Sequence, residues 1–103
     1  MSPTLTTPVP PAIPDDVRAF AAERGVSDYL VPLYELTKRC FDGIDVTVTQ
    51  ESDYEVASLG WIVFAPAAGT WEPDRRRAAK ARWYAGFREL CPSDDSINFV
   101  LGL

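Results

Sequence analysis

The chain has no histidine, which removes the commonest general base, the commonest metal ligand and every Ser–His or Cys–His nucleophile arrangement. Its two cysteines, Cys40 and Cys91, stand far apart with no second thiol near either. That spacing excludes zinc-finger ligation and a CxxC redox pair, and both read as core thiols. No string of the GxxxxGK[ST], GxGxxG or GxSxG type occurs, so phosphate-cradling loops and nucleophile elbows are missing too. No run approaches the roughly 18 apolar residues of a membrane span. Positive charge is also scarce: the net charge is -5 and the sequence pI about 4.5, which disfavours binding to nucleic-acid phosphates or an anionic membrane. The segment MSPTLTTPVPPAIP has neither a basic start nor an apolar core, so no secretory leader is expected and the cytoplasm is the expected compartment.

What is present fits one domain. At 103 residues, with 47% hydrophobic and 24% charged side chains, the chain lies in the globular range and is too short for two cores. Residues 1–13, rich in proline and threonine, read as a disordered tail, and residues 14–103 as a single α+β domain. The acidity is uneven, with ten acidic and four basic residues over 15–60 against five and six over 61–103.

Pro14, Asp15 and Asp16 open a first helix with Val17, Phe20 and Ala21 on its apolar side, and Gly25 stops it. A second helix runs from Ser27, a good N-cap, to Gly43, with Pro32 either removing a hydrogen bond or marking a later start. Ile44, Val46 and Val48 alternate with polar residues as a strand with one buried face. Residues 58–65, SLGWIVFA, are apolar on both faces, and the polar SDYEVA between the two runs predicts an antiparallel hairpin. A third helix spans 73–91 with Ala79, Trp83, Gly86, Phe87 and Leu90 in one stripe. SDDS then turns the chain into a last strand whose Ile97, Phe99, Leu101 and Leu103 share a face. The predicted fold is a two-layer α+β sandwich of order ααββαβ, a three-stranded, mainly antiparallel sheet with the helices largely on one face.

Chemistry-bearing candidates are few. Glu51, Asp53 and Glu55 alternate in the strand connection and suit a solvated loop, a cation, acid–base chemistry or a partner-binding acidic patch. Arg75, Arg76 and Arg77, with Lys80 and Arg82, concentrate positive charge at the start of the third helix, where its dipole disfavours it. Trp61, Ile62, Val63 and Phe64 form the two-faced strand: either Trp61 and Val63 or Ile62 and Phe64 must point away from the helices, and large apolar side chains so exposed mark an interface. Trp83 reads as core, and Trp71 as a staple at the entry of the third helix.

The strings GVSDYLVPLYELTKRCF at 25–41 and FRELCP at 87–92 resemble those of a group of small uncharacterised bacterial proteins of similar length. The resemblance implies a bacterial, cytoplasmic setting and carries no activity and no site residues. The expectation is a small acidic, non-enzymatic module that binds a protein partner or a second copy of itself, an antitoxin or adaptor being one version. No cofactor, metal, nucleic acid or membrane is expected. Two alternatives stand beside it: a ligand-binding or carboxylate-based enzymatic domain, and a nucleic-acid-associated regulator using the arginine-rich helix start.

Overall fold

The computed structural model describes residues 13–56 and 59–103; residues 1–12 of the tail expected at 1–13 lie outside them. The packed chain begins one residue before the expected boundary, because Ile13 is buried in the core. From Pro14, in extended conformation, the chain enters α1 (Asp15–Arg24), whose first turn holds Asp15 and Asp16 where the helix dipole favours negative charge. Gly25 ends it at φ 71°. The Gly25 N–H donates to the Ala22 carbonyl at 3.2 Å and the Val26 N–H to that of Ala21 at 2.8 Å, the paired bonds of a Schellman stop.

Pro32 fixes where the second helix begins. Ser27–Tyr29 makes one tight 3-10 turn, and α2 (Leu30–Cys40) starts after it, so that Pro32 falls in the first turn, where its missing N–H has no helical partner to lose. Ser27 therefore makes no side-chain cap, contrary to its expected role. After α2, Asp42 and Gly43 both take left-handed backbone, φ 56° and 75°, and turn the chain toward the sheet.

β1 (Val46–Ser52) and β2 (Gly60–Pro66) pair antiparallel in unbroken register, Val46 opposite Pro66 through to Ser52 opposite Gly60. β3 (Phe99–Leu101) lies on the other side of β2 and runs parallel to it, giving a mixed sheet of order β1-β2-β3. Parallel neighbours need a long crossover. It is supplied by α3 (Pro73–Leu90) and by the one-turn helix α4 (Ser93–Ser96), which replaces the turn expected of SDDS. That extra turn shortens the last strand. Ile97 caps α4 and is 75% exposed, and Leu103 is 56% exposed, so of the four residues expected to share a buried face only Phe99 and Leu101 are buried.

Helices and sheet meet through alternate residues. Val46 and Val48 of β1, Ile62 and Phe64 of β2, and Phe99 and Leu101 of β3 are all buried and join Val17, Leu33, Phe41 and Trp83 in one core. α2 and α3 approach closely because Gly86 has no side chain: a Cβ there would sit 2.6 Å from Cδ1 of Leu36. Trp83 stacks on Phe87 at 4.8 Å, Phe87 meets Phe99 edge-on at 6.4 Å and Phe99 meets Phe64 at 6.2 Å, so an aromatic chain joins the helix layer to the sheet. Leu90, expected in the same stripe, is 38% exposed at the end of α3.

Candidate interaction surface

The opposite parity of β2 faces away from this core. Trp61, Val63 and Ala65 are half-buried, and none of them is among the partly buried apolar side chains that pack against it. Val100 of β3, opposite Val63, is 41% exposed, and the β1 residues opposite this row, Thr47, Thr49 and Glu51, are polar. The outer face thus carries an apolar strip along β2 and β3 beside a polar, acidic strip along β1. Main chain packs close to the strip as well, since a Cβ on Gly102 would lie 2.7 Å from Cγ1 of Val63. Neither Trp61 nor Val63 packs against the buried cluster that the helices share with the sheet. Of the four strand residues singled out from sequence, Ile62 and Phe64 belong to the core at 0% exposure, and only Trp61 and Val63 remain as surface candidates. Strand pairing is the cause: residues opposite each other share a face, and Val48 with its inward side chain lies opposite Phe64.

The arginine cluster meets this surface only at one end, where Arg76 and Arg77 line a groove with Pro66 and with Gly102, the neighbour of Val63. β2 runs from Trp61 near one end to Pro66 at the other, about 17 Å away at strand rise, and the arginines lie beyond the Pro66 end. Each has a local partner. Arg75 donates to the Asp42 carboxylate at 2.6 Å and lies 3.6 Å over the Trp71 ring, which itself packs on Phe41 at 5.6 Å. This clamp ties the end of α2 to the start of α3; Trp71 packs on Phe41 and under Arg75 in place of the apolar staple within α3 expected of it. Arg76 donates to the Gly69 carbonyl at 3.0 Å and Arg77 to Asp74 at 2.7 Å. Arg76, Arg77 and Lys80 line a groove of about 550 Å³ with Pro66, Gly69 and Leu103. Two of its three cations are already engaged by the chain.

Two of the three candidate carboxylates between the strands, Asp53 and Glu51, are engaged locally. Asp53 Oδ1 accepts from the main-chain N–H of Glu55 at 2.8 Å and of Val56 at 3.0 Å, fixing the turn, while Glu51 accepts from the Thr49 hydroxyl at 3.4 Å. No group of three Asp, Glu or Cys side chains suited to a metal ion is found among the described residues. Tyr29 donates to Asp95 at 3.1 Å, and its phenol is pushed above its ordinary value, first by desolvation and then by the Asp95 carboxylate.

Both cysteines are free and buried. Burial pushes both thiols above their ordinary value; Arg82 and Arg39 partly oppose this at Cys40, and Asp95 adds to it at Cys91. They end different helices, which run antiparallel, as the Thr37–Trp83 contact and the Leu36–Gly86 approach show, and this holds the thiols at opposite ends of the pair. Dithionitrobenzoate at pH 8 is therefore expected to label the native protein about 100-fold more slowly than the protein in urea, since the thiolate must form and local structure must open. Burst labelling of either thiol in the native state would contradict this.

No described helix is long and apolar enough to cross a membrane. No protein-family model, curated protein or solved structure matches the chain. Function must therefore be read from the geometry of the sheet and its flanking residues.

Proposed function

We propose that this chain is a non-enzymatic, partner-binding module of the bacterial cytoplasm, an adaptor or antitoxin in kind, whose outer sheet face receives another protein. One observation carries the reading: Trp61 and Val63 lie half-buried on the sheet face opposite the core, outside the cluster on which the helices pack, with Val100 exposed beside them. Apolar strand residues on an open face favour association. The net charge of -5 makes a second copy a repelled occupant and a basic protein an attracted one.

The test is a comparison of tagged wild type with Val63→Asp, each expressed in the native host, with mass spectrometry of what co-purifies. Val63→Asp is expected to lose a basic protein that the wild type retains, while costing only about 1 kcal/mol of stability because residue 63 is on the outside of the sheet. An unchanged set of co-purifying proteins, with both forms folded by circular dichroism and monomeric at about 100 μM, a concentration at which contacts of about 5.5 kcal/mol show, overturns the reading.

A further inference from the structure

We infer that the edge of β1 that no described strand pairs is a strand-addition site, and that its occupant is an extended segment of a partner protein carrying Lys or Arg at alternate positions. The inference rests on the partner-binding reading and gives the partner its chemistry.

Hydrogen-bond alternation exposes the edge. In an antiparallel pair, every second residue exchanges both of its main-chain bonds with the neighbouring strand and the residues between point both groups outward. The Ala67 N–H donates to the Asp45 carbonyl and the Asp53 N–H to that of Leu59, each at 2.9 Å, so the odd-numbered residues of β1 face β2. The N–H and C=O groups of Val46, Val48, Gln50 and Ser52 consequently point away from the sheet, and no described group bonds to them. Edges are ordinarily blunted by lysine, proline, a bulge, brevity or a covering helix or loop, and no described hydrogen bond joins α1, the helix beside it, to β1. β3 is blunted by brevity, at 3 residues. β1 has 7 residues, contains neither lysine nor proline, and keeps its register without a bulge.

Charge selects the occupant. Between Arg39 and Arg75 the chain holds no Lys or Arg, while Asp45, Glu51 and Asp53 project from the same side of β1 and its ends. A strand added here sets its own alternate side chains beside those carboxylates and Thr47 and Thr49, where opposite charge is favoured. The neighbouring helix α1 does not change the sign, because Arg18 is paired with Asp15 and Arg24 lies over Phe20 with a bond to Asn98. A second copy fits poorly. Symmetric antiparallel pairing centred on Thr49 sets Asp45 against Asp53 of the copy, and centring it on Val48 sets Asp45 against Glu51 of the copy, like charges in both registers.

The probe is a fluorescein-labelled peptide, Lys-Thr-Lys-Val-Lys-Thr-Lys, compared with the same peptide methylated at alternate main-chain nitrogens. The unmodified peptide is expected to bind and to protect the amides of Val46, Val48, Gln50 and Ser52 from exchange, and methylation is expected to weaken it about tenfold or more. Gln50→Pro removes an outward N–H without touching the β1–β2 ladder, and is expected to weaken binding as much in a protein that stays folded. Glu51→Lys is expected to weaken it as well. Equal binding of the methylated peptide, no effect of Gln50→Pro in a folded protein, or no binding up to about 1 mM, the weak limit for a short peptide, overturns the inference. So does a wild-type dimer that Gln50→Pro dissolves, because the occupant is then a second copy. A native partner lost by Val63→Asp but kept by Gln50→Pro leaves the sheet-face reading standing and removes strand addition; one kept by both removes both.

Discussion

Trp83→Ala is expected to lower unfolding stability by about 3–5 kcal/mol, a large part of what a domain of this size has. Trp83 is fully buried where α3 crosses α2, stacked on Phe87 at 4.8 Å and edge-on to Tyr84 at 5.1 Å. Its indole N–H donates to the Thr37 hydroxyl at 2.9 Å, and that hydroxyl donates to the Leu33 carbonyl at 2.7 Å. Thr37 is itself fully buried, so the bond between them is the condition on which two polar atoms are tolerated in an apolar interior. Thr37→Val keeps the volume, strands the indole N–H and is expected to cost about 1–3 kcal/mol. Trp83→Phe removes the donor, and Thr37→Val in that background is expected to cost clearly less than it does alone. Urea denaturation of the four proteins of this cycle measures the coupling. Strict additivity would show that the two groups stabilise the fold independently.

The same contact shows why much of the fold was legible in the sequence. Thr37 and Trp83 fall on the apolar arcs of two helices whose ends are marked by Pro32, Gly43, Pro73 and Pro92, all local signals. What local signals do not contain is the partner. Threonine inside an arc of leucines looks like a tolerated polar residue until a helix forty-six positions away brings its indole alongside. Arg75 is the converse case. Its charge looks unbalanced at the start of a helix, yet Asp42, whose left-handed backbone ends the turn after α2, meets it at 2.6 Å.

The candidate surface was half legible for a similar reason. Periodicity assigns a strand's inward face only when its two parities differ, as they do in β1 and do not in Trp61–Phe64. Register resolves the tie. Once Val48 is set opposite Phe64, the inward parity of β1 fixes that of β2, and the register depends on the turn between the strands, whose sequence does not specify it. The open edge of β1 was missed altogether, although the lack of Lys and Arg from 40 to 74 was readable as a sign that this hairpin is not protected in the usual way.

Phe64→Asp is expected to abolish folding, whereas Val63→Asp, one residue away on the same strand, is expected to leave the circular-dichroism spectrum and the cooperative urea transition in place. Phe64 is 0% exposed, lies opposite the buried Val48 and meets Phe99 at 6.2 Å. Replacing it removes a ring whose loss alone costs about 3–5 kcal/mol. It also puts a carboxylate among apolar side chains, away from the arginines that the described ion pairs engage. Burying that charge unpaired costs several kcal/mol more, and even if it protonates, the neutral acid keeps a desolvation cost of about 1–3 kcal/mol. Together these reach the lower part of the roughly 5–15 kcal/mol available to a domain, where a chain this small falls. At residue 63 both costs are smaller, because the side chain is only half-buried on the outer face and no core ring is lost. The ordering of the two variants therefore reads out which face of β2 meets the helices: a folded Phe64→Asp beside an unfolded Val63→Asp would invert the sheet and move the interaction surface to Ile62 and Phe64.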